Sequence, residues 1–317
     1  YKAVFLPDEN HNGKPDENEV LSMYYDANGG SGSVIDEMMY HVKDQVLIKD
    51  NDFTYPKENV IFIGWSKQPF TVILADGKAP QEMLQPKDSF AIMETTTLYA
   101  VWAMDENGNH IPDYQESLSM NYDANGGSGS VIDEMTYHVK DQVLVKDNAF
   151  TYPKENVIFI GWSKQPFTVI LADGKAPQEM LQPKDSFAIM ETTTLYAVWA
   201  MDENGNHIPD YQESLSMNYD ANGGSGSVID EMTYHVKDQV LVKDNAFTHP
   251  KENVIFIGWS KQPLTVIPTD GKAPQEMLQP KDYFTIMETT TLYAVWAMDE
   301  NGNHIPDYQE ERFTVTF

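Results

Sequence analysis

Short stretches of the chain alternate apolar and polar positions, and the same stretches return every 97 residues. In "SLSMNYD", Leu118, Met120 and Tyr122 alternate with polar neighbours, which is the period-two signature of a half-buried strand. "ANGGSGS" interrupts it: Asn125-Gly126 favours a positive-φ turn, and the Gly and Ser that follow predict a mobile loop. "MTYHVKDQVLVKDN" predicts one or two further strands with Val143 and Val145 on one face, and "TYPKEN" a turn. "VIFIGW" is apolar and β-branched but short for a helix, so it reads as a strand. "ADGKAPQEMLQPKD" carries an Asp-Gly turn and one helical turn from Pro177 to Pro183. "SFAIMETTTLYAVWAM" closes the unit with strands around Phe187, Ile189, Leu195, Ala197 and Trp199. The unit is mostly strand, with Trp162, Trp199, Phe150, Phe159 and Tyr196 as its predicted core.

The period sets the organisation. Acidic runs begin at Asp8, Asp105, Asp202 and Asp299, and self-similarity at a fixed spacing defines the structural unit directly, overriding the two domains that length alone suggests. Residues 21–117 and 118–214 differ only at Tyr24/Asn121, Met39/Thr136, Ile48/Val145 and Asp52/Ala149. The third copy departs mainly at His249, Leu264, Pro268, Thr269, Tyr283 and Thr285. The chain therefore divides into repeats at 20–104, 117–201 and 214–298, with acidic loops at 8–19, 105–116, 202–213 and 299–310. Residues 1–7 read as the last strand of a preceding repeat and 311–317 as the start of a further domain, so the expectation is a stretch of a longer array. With no cysteine in the chain, each core forms without disulfide staples.

Charge narrows the partners. The net charge is −28, with 49 Asp and Glu against 21 Lys and Arg, a field that repels phosphate backbones and anionic lipid and attracts divalent cations. Nucleic acid is excluded as an expected partner. No apolar run approaches the roughly 20 residues of a membrane span.

Four separated motifs, "YDANGG", "FIGWS", "LQPKDSFAI" and "TTTLYAVW", occur in that order three times. Together they resemble the Listeria-Bacteroides repeat, the family that includes the B-repeat of internalins. The resemblance implies a small, mostly β domain of β-grasp-like α+β type, three near-identical copies of which form a tandem array in an extended rod. It also implies a secreted or wall-attached bacterial surface protein, of Gram-positive type, whose repeats serve as stalk or interaction modules. One departure is Pro183-Lys184-Asp185, where the family favours Pro-Gly-Asp; another is the long segment from Thr151 to Gln165.

The acidic runs carry the candidate chemistry. Counted from Asp105, the run places Asp105 first, Asn107 third, Asn109 fifth, Ile111 seventh, Asp113 ninth and Glu116 twelfth. These are the ligand positions of the 12-residue calcium loop, with a backbone carbonyl at the seventh and two oxygens from the twelfth. Asp202, Asn204, Asn206, Ile208, Asp210 and Glu213 repeat the spacing, as do Asp299, Asn301, Asn303, Ile305, Asp307 and Glu310. The first copy offers Asp8, Asn10, Asn12, Lys14, Asp16 and Glu19. Carboxylate and amide oxygens suit calcium, and the absence of Cys argues against zinc. The sixth position is Gly only in the first copy (Gly13); His110, His207 and His304 hold it elsewhere, and His tolerates positive φ. The flanks read as strands rather than helices, so the run resembles the bacterial thrombospondin type 3-like calcium motif more than an EF-hand. The competing reading is a solvated acidic linker that binds nothing.

Trp65, Trp162 and Trp259 in "IGW" are candidate sugar platforms, but an apolar neighbourhood makes them core residues. His41, His138 and His235 lack a nucleophile pattern, and adjacent acids such as Asp133 and Glu134 point to opposite faces of a strand, so no catalytic site is expected. The sequence-level expectation is a monomeric, non-catalytic calcium-binding spacer of a bacterial cell-surface adhesion protein, stiffened by Ca2+ at the loops. The alternative is an adhesin whose repeats themselves bind a host glycan or protein through avidity.

Overall fold

The computed structural model of the chain describes residues 4–267, 269 and 271–310. The chain divides into two compact units. One is Tyr1–Tyr122 with Val131–Asp147 and Pro183–Leu195; the other is Asp123–Ser130 with Asn148–Gln182 and Tyr196–Phe317. The first repeat lies wholly in the first unit and the third repeat wholly in the second.

In the first repeat, the alternating and β-branched stretches form β1 (Met23–Asp26), β2 (Gln45–Leu47), β3 (Val60–Ser66), β4 (Ser89–Ala91) and β5 (Thr96–Met104). β5 is the middle strand of a three-stranded sheet, parallel to β1 and antiparallel to β3. β2 and β4 form a separate antiparallel pair. Strand period explains why β5 is apolar along nearly its whole length. Leu98, Ala100 and Trp102 face one core with Trp65, Val46, Ile48 and Ile92, while Val101 and Ala103 face a second, smaller cluster around Ile73. A bulge between Phe62 and Gly64 lets β3 turn Trp65 inward. There its ring meets Tyr25 edge-on at 4.8 Å and Phe62 at 4.9 Å, and its indole N–H donates to the Lys49 carbonyl at 3.2 Å. Trp102 donates to the Ala27 carbonyl at 2.8 Å. Both indole donors are thus satisfied inside the core.

The third repeat has the same plan, with β11 (Met217–Asp220), β12 (Gln239–Leu241), β13 (Val254–Ser260), β14 (Tyr283–Thr285) and β15 (Thr290–Met298). Its sheet order matches that of the first. The middle copy contributes β6 (Met120–Asp123), β7 (Gln142–Leu144), β8 (Val157–Ser163), β9 (Ser186–Ala188) and β10 (Thr193–Met201). The expected class, mostly β in tandem copies, is what forms. Among the described residues the only helix is four 3-10 turns, Asp16–Asn18, Asp113–Gln115, Asp210–Gln212 and Asp307–Gln309.

Several local expectations change. Trp65, Trp162 and Trp259 are fully buried, as core residues, whereas Phe159 and Tyr196 are half-buried. The helical turn between Pro177 and Pro183 does not form. Leu181 instead exchanges backbone hydrogen bonds with Trp162, at 2.8 and 2.9 Å, which requires an extended chain. The Gly-Ser loop is tied rather than mobile, because Ser128 and Thr151 exchange backbone hydrogen bonds (2.8 and 2.9 Å). A Cβ at Gly127 would sit 2.7 Å from the Thr151 carbonyl oxygen and 3.0 Å from the Trp199 ring. Residues 4–7 carry no strand, with Val4 and Phe5 almost fully exposed; residues 1–3 and 311–317 lie outside the described residues. No helix among them is long and apolar enough to cross a membrane.

The departure at Pro-Lys-Asp has a backbone meaning. In the first repeat the Asp88 N–H bonds the Gln85 carbonyl at 3.0 Å, with Pro86 and Lys87 as the central pair and Lys87 at φ 72°. That is a type II turn, whose third position favours Gly. Lys281 is at φ 73° in the same turn of the third repeat. Lys87→Gly and Lys281→Gly are expected to raise stability by up to about 1 kcal/mol each, as relief of left-handed strain outweighs the added chain entropy; chemical denaturation measures it. A second expectation concerns alkali. Burial, then the hydrogen bond to an aspartate (Asp36, Asp133 or Asp230), pushes Tyr40, Tyr137 and Tyr234 up to about 12 from 10.0. A raised folded-state pKa is a contribution complete below 10 and lost as pH rises towards 12. Phenolate absorbance and circular dichroism should therefore change together in that window.

Candidate functional site

β5 runs without interruption into the second acidic loop. Asp105, the next residue, keeps a sheet-like hydrogen bond from its N–H to the Asn59 carbonyl (2.9 Å) and is 2% exposed. From that anchor the chain wraps back on itself. The Asp105 carboxylate accepts the backbone N–H of Asn109 (3.1 Å) and of His110 (3.0 Å). Asn107 Oδ1 accepts the Asn109 N–H (3.1 Å), and Asn109 Oδ1 the Ile111 N–H (2.7 Å). Asp113 Oδ1 closes the loop by accepting the Glu106 N–H at 3.0 Å. Two left-handed residues make the bend, Gly108 (φ 71°) and His110 (φ 67°). Pro112 then leads into the turn Asp113–Gln115, which returns Glu116 to the start of the loop. There its Oε2 accepts from Asn107 Nδ2 (3.0 Å) and its Oε1 from Asn109 Nδ2 (2.7 Å).

The other runs repeat this wiring. Asp202 accepts from the N–H of Asn206 and His207, and Glu213 from Asn204 and Asn206. Asp299 accepts from Asn303 and His304, and Glu310 from Asn301 and Asn303. In the first copy Asp8 accepts from Asn12 and Gly13, Asp16 from Glu9, and Glu19 from Asn10 and Asn12. There the bend uses His11 (φ 55°) and Gly13 (φ 85°), so His and Gly exchange the fourth and sixth places while both stay left-handed. His207 and His304 hold φ 66° and 64°. The strain expected for His at the sixth position is present.

The loop thus gathers the first, third, fifth, ninth and twelfth positions, and leaves the seventh side chain outside: Ile111 is 47% exposed, so only its backbone carbonyl is available. The Lys14 side chain is exposed in the same way. Among the described residues no three His, Cys, Asp or Glu side chains form a metal-holding group. The reason lies in the wiring: two of the five side chains are Asn, Asp113 Oδ1 turns to a backbone N–H, and the two amide NH2 groups approach Glu116.

Buried carboxylates lie close together in the loops. Asp113 and Asp210 are 1% exposed, and their pKa is raised, first by desolvation and then by neighbouring carboxylates, Glu106, Glu116 and Asp105 around Asp113 and Glu203, Glu213 and Asp202 around Asp210. Asp307 Oδ2 is buried with no hydrogen-bond partner. The oxygens of Asn107 and Asn109 each retain a second lone pair beyond the N–H they accept. The oxygens that the loop would offer a hard divalent ion are those of Asp105, Asn107, Asn109, Asp113, Glu116 and the Ile111 carbonyl.

The loop also joins two repeats through residues outside the ligand spacing. Tyr114 packs on the cluster around Ile73, Val101 and Ala103 of the preceding repeat. Glu106 accepts from Asn59 Nδ2 of that repeat (3.0 Å) and pairs with Lys140 of the following one at 2.7 Å. The Lys140 and Asn59 contacts, more than burial opposing them, hold the Glu106 carboxyl below its usual range. Asn107 Nδ2 donates onward to the Met190 carbonyl at 2.9 Å. Glu203 does the same with Asn156 (3.0 Å) and Lys237 (2.6 Å), and Asn204 with Met287 (2.9 Å). The only signal for these residues in the sequence is the constant Glu after each opening Asp and the Lys of "HVKD".

No known protein family, curated protein or solved structure matches the chain. In chelator, carbon-detected NMR should place the titration midpoints of Asp113 and Asp210 above 3.8. Because a raised carboxyl favours the folded state when protonated, the contribution of Asp113 and Asp210 is complete below 3.8 and lost as pH rises through their folded midpoints, whereas that of Glu106 and Glu203, held below 4.5, is lost as pH falls. Asp113→Asn should abolish the first of these at its loop.

Proposed function

We propose that the repeats are a non-catalytic calcium-binding spacer of a bacterial cell-surface protein, stiffened where the acidic loops take up the ion. The observation that carries this reading is the return of three carboxylates and two side-chain amides at the calcium-loop spacing in each of the four loops, with Asp105, Asp113, Asp202, Asp210, Asp299 and Asp307 buried in the last three. Asp105, Asp113 and Glu116 repel one another at neutral pH, and the amide NH2 groups of Asn107 and Asn109 offset only part of that repulsion. Calcium, when bound, supplies the positive charge that the wrapped loop lacks. Rotation of the two amides presents Oδ1 rather than Nδ2 to the site, and Asp105, at the end of the middle strand of the sheet, ties the loop to the core of its repeat. Extracellular loops of this type bind in the range of about 10⁻⁴ to 10⁻³ M, and an ion that binds only the ordered form adds about 2.7 kcal/mol at a hundredfold excess over Kd.

The resemblance of "YDANGG", "FIGWS" and "TTTLYAVW" to the Listeria-Bacteroides repeat supports the surface location, as does the strongly acidic, cysteine-free composition. The alternative, repeats that themselves bind host glycan or protein, loses its aromatic platform because Trp65, Trp162 and Trp259 are fully buried. It retains a recurrent exposed pair in each copy, Ile35 and Met38, Ile132 and Met135, Ile229 and Met232.

Isothermal titration should find four calcium ions per chain, one for each loop, and Glu116→Gln should reduce this to three. Small-angle scattering in calcium and in chelator should show a longer, narrower distance distribution with the ion. An identical maximum dimension in both would remove the stiffening, and absence of bound calcium at millimolar concentration would remove the metal.

A further inference from the structure

Each acidic loop contains one Asn-Gly pair: Asn12-Gly13, Asn107-Gly108, Asn204-Gly205 and Asn301-Gly302. Three more follow the first strand of each repeat, Asn28-Gly29, Asn125-Gly126 and Asn222-Gly223. In such a pair the next backbone nitrogen can reach the side-chain amide carbon, because glycine has no Cβ to shield that nitrogen and moves freely. The same dipeptide stands in two settings, and the fold treats the two differently.

In the turns the amide is locked. The Gly30 N–H bonds the Ala27 carbonyl at 3.0 Å, with Asn28 and Gly29 between them, both left-handed, at φ 48° and 92°. Both hydrogens of Asn28 Nδ2 go to backbone carbonyls, Phe70 at 2.7 Å and Ala100 at 2.8 Å. Ala100 lies on β5, so the middle strand of the sheet holds the side chain in place. The Tyr55 ring covers Gly29, 3.4 Å from where a Cβ would stand. Asn125 and Asn222 make the same two bonds, to Phe167 and Ala197 and to Leu264 and Ala294.

In the loops the surroundings of the amide favour attack on it. Asn107 Oδ1 accepts the Asn109 N–H at 3.1 Å, Asn204 Oδ1 the Asn206 N–H at 3.2 Å and Asn301 Oδ1 the Asn303 N–H at 3.0 Å. In the first loop Asn12 Oδ1 accepts the Lys14 N–H at 2.9 Å. A donor there polarises the carbonyl and steadies the oxyanion that forms when its carbon is attacked. The nitrogen that must leave donates to a carboxylate, Glu116, Glu213, Glu310 or Glu19, which can relay a proton to it, while Asn107 and Asn204 give their second hydrogen to a methionine carbonyl. The attacking nitrogen is open. A Cβ on Gly13, Gly108, Gly205 or Gly302 would meet nothing within 4 Å. The Gly108 N–H has a long bond, 3.4 Å to the Asp105 carbonyl, and the Gly13 N–H meets the Asp8 carboxylate at 3.0 Å, a base for its proton.

We propose that one asparagine in each acidic loop, Asn12, Asn107, Asn204 or Asn301, is a site of spontaneous deamidation, from which the fold protects the turn asparagines. The glycine nitrogen attacks Cγ and a C–N bond closes a five-membered succinimide. The Cγ–Nδ2 bond breaks, and the proton lost by the glycine nitrogen leaves with the ammonia. Water then opens the ring to aspartate or isoaspartate. Water enters and ammonia leaves, so no oxidant or other reactant is needed. Each event turns a neutral amide into a carboxylate, the fourth at the ligand spacing of its loop. Its effect on an ion rests on the calcium reading, since affinity at this spacing follows the charge of the ligands.

Peptide mapping by mass spectrometry tests it. The full chain is aged in chelator and mildly alkaline buffer, with tryptophan fluorescence reporting that it stays folded, and a second portion is aged in denaturant. A gain of one dalton is followed at every Asn-Gly pair, and fragmentation separates loop from turn within a peptide. In denaturant all the pairs should convert at one rate, since the dipeptide is the same. In the folded chain the loop asparagines should convert about tenfold or more faster than Asn28, Asn125 and Asn222, within what one donor to a developing oxyanion contributes. Equal rates in the two settings of the folded chain, or faster conversion in the turns, overturn the proposal. Asn107→Asp places the product carboxylate in the loop directly, and isothermal titration should find calcium bound there about tenfold more tightly. An unchanged affinity removes the consequence drawn for the ion. Absence of calcium binding to either chain removes the calcium reading and leaves the pattern of conversion standing.

Discussion

The strand that ends each repeat is also the middle strand of its sheet, and the acidic loop is its direct continuation. β5 is held by β1 on one edge and β3 on the other and is packed on both faces, so Asp105 starts from one of the most constrained positions in the domain. A loop that began on an edge strand would inherit the freedom of that edge. Here Asp105 inherits the order of a strand packed through Trp102 and Leu98 into the core around Trp65. Truncating such a tryptophan costs about 3–5 kcal/mol and would loosen the loop as well as the core.

The loop answers a conflict between burial and charge. Asp113 and Asp210 are almost completely buried near other carboxylates, and each accepts one backbone N–H, from Glu106 and from Glu203. The left-handed residues of the bend, Gly108 and His110, serve the opening aspartate instead, since the N–H groups of Asn109 and His110 turn towards the Asp105 carboxylate. Tyr114 on the preceding repeat and Glu106 on the following one use the outside of the same bend. A single segment of a dozen residues therefore has an inner face rich in oxygen atoms and an outer face that fastens two repeats, and Asn107 Nδ2 serves both, donating to Glu116 and to the Met190 carbonyl.

Much of this was legible. Period-two alternation located the strands, as with Val143 and Val145, both buried, and the return of the pattern every 97 residues gave the tandem organisation. The left-handed turn at Asn125-Gly126 followed from residue type (φ 48° and 91°). What failed was local propensity where a distant partner intervened. Pro177 to Pro183 looks helical in isolation, but Leu181 is drawn out by Trp162. The Gly-Ser loop looks loose, but Thr151 and the Trp199 ring close over it.

The sequence by itself determined the class, the repeat and the set of oxygen-bearing residues in each loop, because strand period, turn chemistry and ligand spacing are properties of neighbours along the chain. Only the tertiary structure decided which strand lies in the middle, how deeply Asp113 is buried and that Glu106 meets Lys140. Those depend on residues 34 or more apart coming within bonding distance, as in Glu106 with Lys140 and Asn107 with Met190. No local pattern encodes such a meeting, since its energy exists only once both repeats have folded around their tryptophans.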